Sequence, residues 1–198
     1  MKRGLKISLA AVLLLAVAAG VVWYSMPIRS EQTVATSGEH AGERAVSAPI
    51  ETPLPKDAVI DRLVVHKSKR TMSAYSKGKL LKTYPIALGK QSVGHKHFEG
   101  DGKTPEGKYR INDRNPNSTY HKNLGISYPN DADKAYAAAQ GKSPGGLIKI
   151  HGIKNGWGSI GKRHLQRDWT DGCIAVTDEE IDELYRSVKH NAEIEILP

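Results

Sequence analysis

The beginning of this chain constrains it most, because a basic start is followed by a long stretch without charge. Lys2, Arg3 and Lys6 precede residues 7–28, and none of those 22 residues is charged. At about 1.5 Å per residue, a helix of that length extends about 33 Å, enough to cross a hydrocarbon core of about 30 Å. Basic residues before such a segment are typical of its cytoplasmic side. We therefore predict that residues 1–28 direct the rest of the chain across a membrane.

Two interpretations of this segment remain open. In the first it stays in the inner membrane as an anchor, with Trp23 and Tyr24 in the interfacial layer. In the second it is a cleaved signal peptide with a small-residue cleavage site at residues 16–18. The anchor is favoured, because cleavage there leaves the apolar residues 19–26 at the new amino terminus. Both interpretations place the remaining chain in the periplasm or cell envelope, which argues against a nucleic-acid partner.

Composition divides the remaining chain into a tether and one domain. Residues 29–56 are rich in Ser, Thr, Glu, Ala and Pro and have no apolar periodicity, so we expect a disordered linker. Residues 57–198 contain 23 Lys and Arg against 17 Asp and Glu, so most of the basic excess lies there. A basic domain favours an anionic partner, but charge alone does not distinguish a carboxylate-bearing polymer from other polyanions.

Residues 57–198 are predicted to form a mainly β domain with a few short helices, in the α+β class. The glycine-rich residues 89–107 predict a long loop, and residues 115–118 predict a turn. Helices are expected over residues 132–140 and after the Thr-x-x-Glu capping box that begins at Thr177. Short stretches of strand-forming residues between turn signals predict strands at 59–66, 71–75, 80–88, 108–112, 124–128, 147–150 and 192–197.

The predicted long loop contains residues that could be taken for a zinc half-site. His95 and His97 are separated by one residue, and Asp101 follows them. Solvent-exposed histidines are the commoner explanation for such a pair in a loop. The glycines of the loop do not have the spacing of a phosphate-binding loop. We therefore expect neither a metal nor a cofactor here.

Cys173 is the only cysteine in the chain, so it cannot belong to an intramolecular disulfide. Gly172 before it and apolar residues after it predict a tight turn that leads into a buried strand. A cysteine nucleophile needs an imidazole and hydrogen-bond donors for the oxyanion. His151 follows another apolar strand and is the best candidate for the base. Cys173 is thus a candidate nucleophile, with His151 as its candidate base and the amides of Gly172 and Cys173 as oxyanion donors. A buried, inert cysteine is the alternative interpretation.

The spacing of these residues resembles that of the L,D-transpeptidase family with a YkuD-type catalytic domain. In this chain His151-Gly152 is followed by 17 residues and then by Thr170-Asp171-Gly172-Cys173. The family places a similar [Ser/Thr]-His-Gly-Cys run at a similar distance after its histidine. The resemblance covers residues 59–198, and further similar stretches lie at residues 104–107, 126–130, 143–146 and 169–176.

The resemblance implies a YkuD-like β-sandwich and acyl transfer on peptidoglycan without a metal or cofactor. Cys173 would attack the carbonyl of the third residue of a murein stem peptide, and D-alanine would leave. The acceptor would be an amine of another stem peptide, a lysine of a wall-anchored lipoprotein, or water. The resemblance also implies that His151 is the base, that the Gly152 carbonyl orients its imidazole, and that Thr170 supports the turn.

Two positions near the candidate nucleophile depart from the common pattern of the family. Asp171 stands where a histidine is usual, and a carboxylate there is expected to raise the thiol pKa. Ala175 stands where many members have Asn or Arg, and Arg163 or Arg167 could replace the substrate contact that is lost. Tyr128 is a further candidate for substrate binding. A murein endopeptidase and a non-catalytic wall-binding module with an inert cysteine remain the alternatives.

Overall fold

The computed structural model describes residues 52–198. The predicted anchor or signal segment and most of the predicted linker lie outside the described residues. No helix within the described part is long and apolar enough to cross a membrane. The strands are β1 Ile60–His66, β2 Thr71–Ser76, β3 Lys79–Pro85, β4 Gly107–Ser118, β5 His121–Ile126, β6 Lys149–His151, β7 Ile174–Ala175 and β8 Val188–Leu197; the helices are α1 Asp131–Ala139, α2 Asp178–Ser187 and a 3₁₀ segment, Gly158–Gln166.

The described strands form one sheet in the order β3-β2-β1-β8-β4-β5-β6-β7. The first part of β4 pairs with β8, while its second part pairs with β5 through two register shifts. Such irregularities bend a strand, so β4 curves as it passes from its pairing with β8 to its pairing with β5. Isolated bridges join Ala87 to Ala175 and Gly89 to Thr170, so the chain after β3 also reaches β7. The predicted fold class, mainly β with a few short helices, is confirmed.

The core lies inside this curled sheet. Leu63 and Val65 of β1 are fully buried, as are Ile194 of β8 and, almost completely, Ile196. β1 and β8 pair in parallel at the centre of the sheet, where burial favours branched apolar side chains.

Helix α2 packs against the strand that leads to the candidate base. Its capping box is present as predicted: the Thr177 hydroxyl accepts a hydrogen bond from the Glu180 amide at 3.3 Å, and the Glu180 carboxylate accepts one from the Thr177 amide at 2.9 Å. Ile181 and Leu184, one turn apart on the apolar face, are fully buried. This face contacts β5 and β6 and so supports the end of β6.

Several predicted boundaries differ from the structure, and two of the differences have a local physical cause. Residues 115–118 were expected to turn, but β4 continues to Ser118. A register shift between Asn115 and Ser118 accommodates Pro116, which has no N–H for the ladder. The strand predicted from residue 147 begins at Lys149, because Leu147 has a φ of 56° in the left-handed region and is 82% exposed.

The long loop predicted between β3 and β4 is confirmed, and buried polar contacts hold it in place. The ammonium group of Lys67 donates to the Gly94 carbonyl at 2.6 Å, the Thr104 carbonyl at 3.0 Å and the Glu106 carboxylate at 2.8 Å. A Cβ atom at Gly89 would lie 2.3 Å from the carbonyl oxygen of Gly102, so the loop folds tightly back on itself. It thereby forms a wall beside the turn that carries the candidate nucleophile.

Candidate active site

Strands β6 and β7 bring the two candidate catalytic residues together. They pair in parallel, with Ile150 beside Ile174 and His151 beside Ala175. Both isoleucines are fully buried in the core. Because side chains alternate along a strand, His151 and Cys173 lie on the other face. Cys173 immediately precedes β7 and is therefore a diagonal neighbour of His151.

The hydrogen bonding and burial of His151 define its protonation state. Its Nδ1 atom lies 2.7 Å from the carbonyl oxygen of Gly152, so Nδ1 carries the proton and donates it. This is the contact that the resemblance implied, and it leaves Nε2 as the basic atom. The rings of Tyr120 and Trp169 flank the imidazole, with centroids 4.7 and 5.6 Å away. Burial lowers the pKa of His151 to about 4, so the imidazole is neutral at pH 7.

Gly152 is required because α2 approaches the backbone closely. A Cβ atom there would lie 2.6 Å from Oδ1 of Asp178 and 3.0 Å from Cγ2 of Ile181. The same Asp178 oxygen accepts a hydrogen bond from the Ile153 amide at 2.8 Å. Helix α2 therefore fixes the peptide whose carbonyl orients His151.

The thiol of Cys173 is half-buried and is protonated at rest. Its Sγ atom lies 3.6 Å from the Leu147 carbonyl oxygen, to which it donates. Burial raises the thiol pKa, and the Lys149 backbone N–H and charge oppose this rise only in part. Since the imidazole is also neutral, the candidate pair at rest consists of a neutral thiol and a neutral base.

The turn before the thiol is fixed by Thr170. Its hydroxyl donates to the Cys173 carbonyl at 2.7 Å and accepts from the Gly172 amide at 3.1 Å. Gly172 has a φ of 133°, and a Cβ atom there would lie 2.6 Å from the Lys103 carbonyl oxygen. Only glycine satisfies both conditions. Because the Gly172 amide is committed to Thr170, the Cys173 amide is the remaining oxyanion donor of the predicted pair.

Asp171 points into solvent beside this turn. Its side chain is 87% exposed and pairs with the Lys90 ammonium at 2.9 Å. Its charge raises the thiol pKa in the expected direction, but burial is the larger cause. The departure at residue 171 therefore places a solvated, paired carboxylate beside the turn and not a buried charge at the sulfur.

Tyr128 does not lie where a substrate could reach it. The residue is 5% exposed, and its hydroxyl donates to the Pro144 carbonyl at 2.9 Å. Its ring packs edge-on against Tyr109, and burial raises the pKa of its hydroxyl far above the ordinary value. The burial of Tyr128 and the hydrogen bond of its hydroxyl to Pro144 argue against the prediction that this residue binds substrate.

The loop histidines and Asp101 have separate structural partners. His95 contacts Asp133 through Nε2 at 3.0 Å and accepts from the Glu106 amide through Nδ1. His97 stacks on Tyr136. Although burial acts in the opposite direction, the Lys96 ammonium and three backbone amides lower the pKa of Asp101 to about 2. Within residues 52–198, no group of three or more His, Cys, Asp or Glu residues is placed to hold a metal ion.

Sequence reasoning missed four residues around the candidate pair. Lys149 carried a usable signal, because it lies two residues before His151 on one strand and thus shares its face. Tyr120 and His164 lie outside any strand and gave no such signal. Leu147 gave none either, because a leucine between glycines and an apolar strand does not predict a left-handed backbone.

Two cavities flank the candidate pair. The thiol-side cavity, about 340 Å³, is lined by Leu147 and Asp171 among others. The tryptophan cavity, about 500 Å³, lies on the His151 side, since Trp169 lines it and contacts the imidazole. Its polar and aromatic lining residues are Lys154, Trp157, Arg163, His164, Gln166, Arg167 and Trp169.

This geometry agrees with comparison to known proteins. Residues 60–196 match the family model of YkuD, the L,D-transpeptidase catalytic domain. The chain belongs to the YkuD family. It is 30% identical over 158 residues to the Bacillus licheniformis protein named L,D-transpeptidase YkuD, a match that covers 80% of this chain and 76% of that protein.

Two further proteins that are similar to this chain are longer than it. The Escherichia coli (strain K12) protein named L,D-transpeptidase YafK is 32% identical over 131 residues, which cover 63% of this chain and 45% of YafK. The chain thus spans about half the length of this relative. The crystal structure of the helical cell shape determining protein Pgp2 from Campylobacter jejuni superposes with a TM-score of 0.52 and 27% identity, covering 71% of this chain and 48% of Pgp2.

Proposed function

We propose that this protein is a cysteine-dependent L,D-transpeptidase that acts on peptidoglycan stem peptides through an acyl-enzyme. The observation that carries the proposal is the pairing of β6 and β7, which sets an oriented neutral imidazole beside the thiol. Membership of the YkuD family supports the same reaction class.

In the proposed first half-reaction, Nε2 of His151 takes the thiol proton as Sγ of Cys173 attacks the carbonyl of the third stem-peptide residue. The carbonyl oxygen becomes an oxyanion, which the Cys173 amide stabilises. As the tetrahedral intermediate collapses, the peptide C–N bond breaks and the imidazolium returns its proton to the departing amine. The products are a thioester on Cys173 and free D-alanine.

In the second half-reaction an amine attacks the thioester and loses its proton to His151. The new peptide bond forms, and the thiol recovers its proton from the imidazolium. A stem-peptide amine gives a cross-link, and a lipoprotein lysine gives attachment of that protein to the wall. Water in the same position gives hydrolysis, the outcome that defines an endopeptidase.

The resting protonation states suit this sequence of steps. Both groups are neutral before substrate binds, so no buried charge has to be maintained in the free enzyme. Charge develops only during attack, when the Gly152 carbonyl can stabilise the imidazolium through its hydrogen bond to Nδ1.

The proposal also includes a place of action in the cell envelope. Residues 1–28 would anchor the protein in the inner membrane or direct its export, and the basic domain would act on the anionic wall in the periplasm. The name of Pgp2 as a cell shape determining protein agrees with a target in the wall.

Incubation with purified murein tests the proposal. Soluble muropeptides would be compared by mass after treatment with the wild type and with Cys173→Ala. New cross-links that depend on Cys173 are expected, whereas shortened or released peptides would indicate hydrolysis. If neither product depends on Cys173, both enzymatic interpretations are wrong and the wall-binding module is favoured.

A further inference from the structure

A cluster of aromatic rings lies where the loop between β3 and β4 meets helix α1. Tyr136 of α1 is 47% exposed, and His97 of the loop stacks on its ring with the centroids 4.3 Å apart. The ring centroid of Phe98 lies 6.0 Å from that of Tyr136, and the Lys142 ammonium lies 4.5 Å from the Phe98 centroid. We call His97, Phe98 and Tyr136 the aromatic surface. All three remain at least partly accessible to water, which is typical of a binding surface.

Buried polar contacts hold the loop part of the aromatic surface in place. The Asp101 carboxylate accepts hydrogen bonds from the amides of His97 and Phe98 at 2.8 and 2.9 Å. The Lys96 ammonium donates to the Phe98 carbonyl and to Asp101, each at 2.8 Å, and the Lys96 side chain is only 3% exposed. A buried ion pair therefore fixes the backbone that carries two partly exposed rings. Because the rings are already positioned, a ligand that binds them does not have to order the loop.

The aromatic surface borders the thiol-side cavity. Lys96 and Glu99 line that cavity, and the two loop aromatics lie between them in the sequence. The Glu99 amide donates to the carbonyl of Ser143, another lining residue, at 2.9 Å. Leu147, whose carbonyl accepts a hydrogen bond from the thiol, lines the same cavity. The cavity therefore extends from the surroundings of the sulfur to the edge of the aromatic surface.

The order of groups in the substrate places the glycan strand on this side. In acyl transfer the base returns its proton to the departing amine, so the leaving residue lies on the side of His151. The part of the stem peptide before the scissile bond then extends toward the thiol-side cavity. An extended chain covers about 3.3–3.6 Å per residue, so the sugar that carries the stem lies on the order of 10 Å from the carbonyl of the third residue.

Aromatic rings are suited to bind such a sugar. One face of a pyranose ring presents C–H groups with a partial positive charge, and the face of an aromatic ring carries a partial negative charge. Stacking of the two also removes apolar area from water. The Lys142 ammonium beside the aromatic surface can donate to hydroxyl and acetamide oxygens of the sugar.

We propose that the aromatic surface binds a sugar ring of the glycan strand that carries the acyl-donor stem peptide. This inference rests on the proposed function. Phe98 and Tyr136 would stack on the sugar, while the stem peptide occupies the thiol-side cavity. The enzyme would therefore act on stem peptides that are attached to glycan in preference to free stem peptides.

Two donors test this preference: a free stem tetrapeptide, and the same tetrapeptide linked to a disaccharide of the glycan. The measured quantity is the ratio of their kcat/KM values for release of D-alanine by the full-length protein. Contacts of two aromatic rings should make the wild type prefer the glycan-linked donor by about fivefold to tenfold. The double variant Phe98→Ala, Tyr136→Ala should bring the ratio close to one. Partial unfolding lowers both values equally, so the ratio reports the contact with the sugar.

Tyr75→Ala is the matched control. Tyr75 is also a partly exposed ring beside a cation, since the Arg62 guanidinium lies 5.9 Å from its centroid. It belongs to β2 and lines neither cavity that flanks the candidate pair, so Tyr75→Ala should keep the wild-type ratio. A wild-type ratio near one, or a double variant that retains the preference, would overturn the inference. Equal loss of preference in the control would do the same, because it would show that the location of the ring does not matter.

Binding of a peptide-free murein tetrasaccharide to the Cys173→Ala variant separates this inference from the proposed function. Titration followed by NMR needs no turnover, and replacing Phe98 and Tyr136 as well should weaken binding by about fivefold or more. If binding depends on the rings but no Cys173-dependent release occurs, the proposed function fails and the glycan site stands. If release occurs without ring-dependent binding or preference, the glycan site fails alone.

Discussion

Replacing His151 with Gln tests whether the imidazole is neutral in the folded protein. Burial lowers the pKa of His151 to about 4, against an ordinary value of 6.5. Protonation is therefore easier in the unfolded chain than in the folded one. The neutral ring contributes stability that is fully present above pH 6.5 and is lost as the pH falls toward about 4.

The expected loss follows from the two pKa values. At about 1.36 kcal/mol per pKa unit, protonation of residue 151 removes about 2 kcal/mol near pH 5 and about 3 kcal/mol near pH 4. His151→Gln has no imidazole at residue 151, so it lacks this pH-dependent loss of free energy of unfolding. All other groups titrate in both proteins. The difference between their pH dependences therefore isolates the imidazole.

Urea unfolding of the wild type and of His151→Gln, each at about pH 7.5 and pH 5, provides the measurement. The free energy of unfolding of the wild type should fall by about 2 kcal/mol more than that of the variant. The acid limb of kcat/KM should likewise lie near pH 4. Equal losses in the two proteins, together with an acid limb near 6.5, would refute a buried neutral base.

Three further substitutions test other parts of the structure. Glu183→Gln should lower the free energy of unfolding, measured by chemical denaturation, by about 3 kcal/mol or more, because it breaks the buried ion pair with Lys82. Glu179 is exposed, so Glu179→Gln should change the free energy of unfolding little. Gly172→Ala should abolish activity and shift the near-ultraviolet circular dichroism, since its Cβ would lie 2.6 Å from a backbone oxygen; wild-type activity would contradict the turn geometry. The Lys149 charge lowers the thiol pKa and the Asp171 charge raises it. Lys149→Met should therefore slow alkylation of the thiol at pH 8, and Asp171→Asn should speed it by about twofold. Equal alkylation rates in both variants and the wild type would show that neither charge acts on the sulfur.

Much of the fold could be predicted from local patterns. The capping box at Thr177 and the apolar spacing of Ile181 and Leu184 located α2, because helix caps and amphipathic faces depend on residues close in sequence. The extension of β4 through Pro116 could not be predicted, since the register shift that accommodates proline depends on the neighbouring strand.

In the candidate site, too, some features could be predicted from the sequence and others depend on the fold. Cys173 and His151 could be proposed as candidates from their residue types and spacing, but their positions as diagonal neighbours depend on the parallel pairing of β6 and β7. The commitment of the Gly172 amide to Thr170 depends on a side-chain rotamer, which the sequence does not specify. The burial of the Tyr128 hydroxyl could not be predicted, because an aromatic residue next to proline carries no sign of whether its hydroxyl faces solvent or the core.

Release of D-alanine from a murein tetrapeptide is the most direct test of the central claim, because this step is common to transfer and hydrolysis. The wild type should release D-alanine stoichiometrically with cleavage, and an acid-quenched sample should carry the tripeptide acyl group on Cys173. Cys173→Ala should lose at least about 10³-fold in rate, as expected when a nucleophile is removed. Release by Cys173→Ala at the wild-type rate, or no release by either protein, would contradict the assignment of Cys173 as the nucleophile of an L,D-transpeptidase.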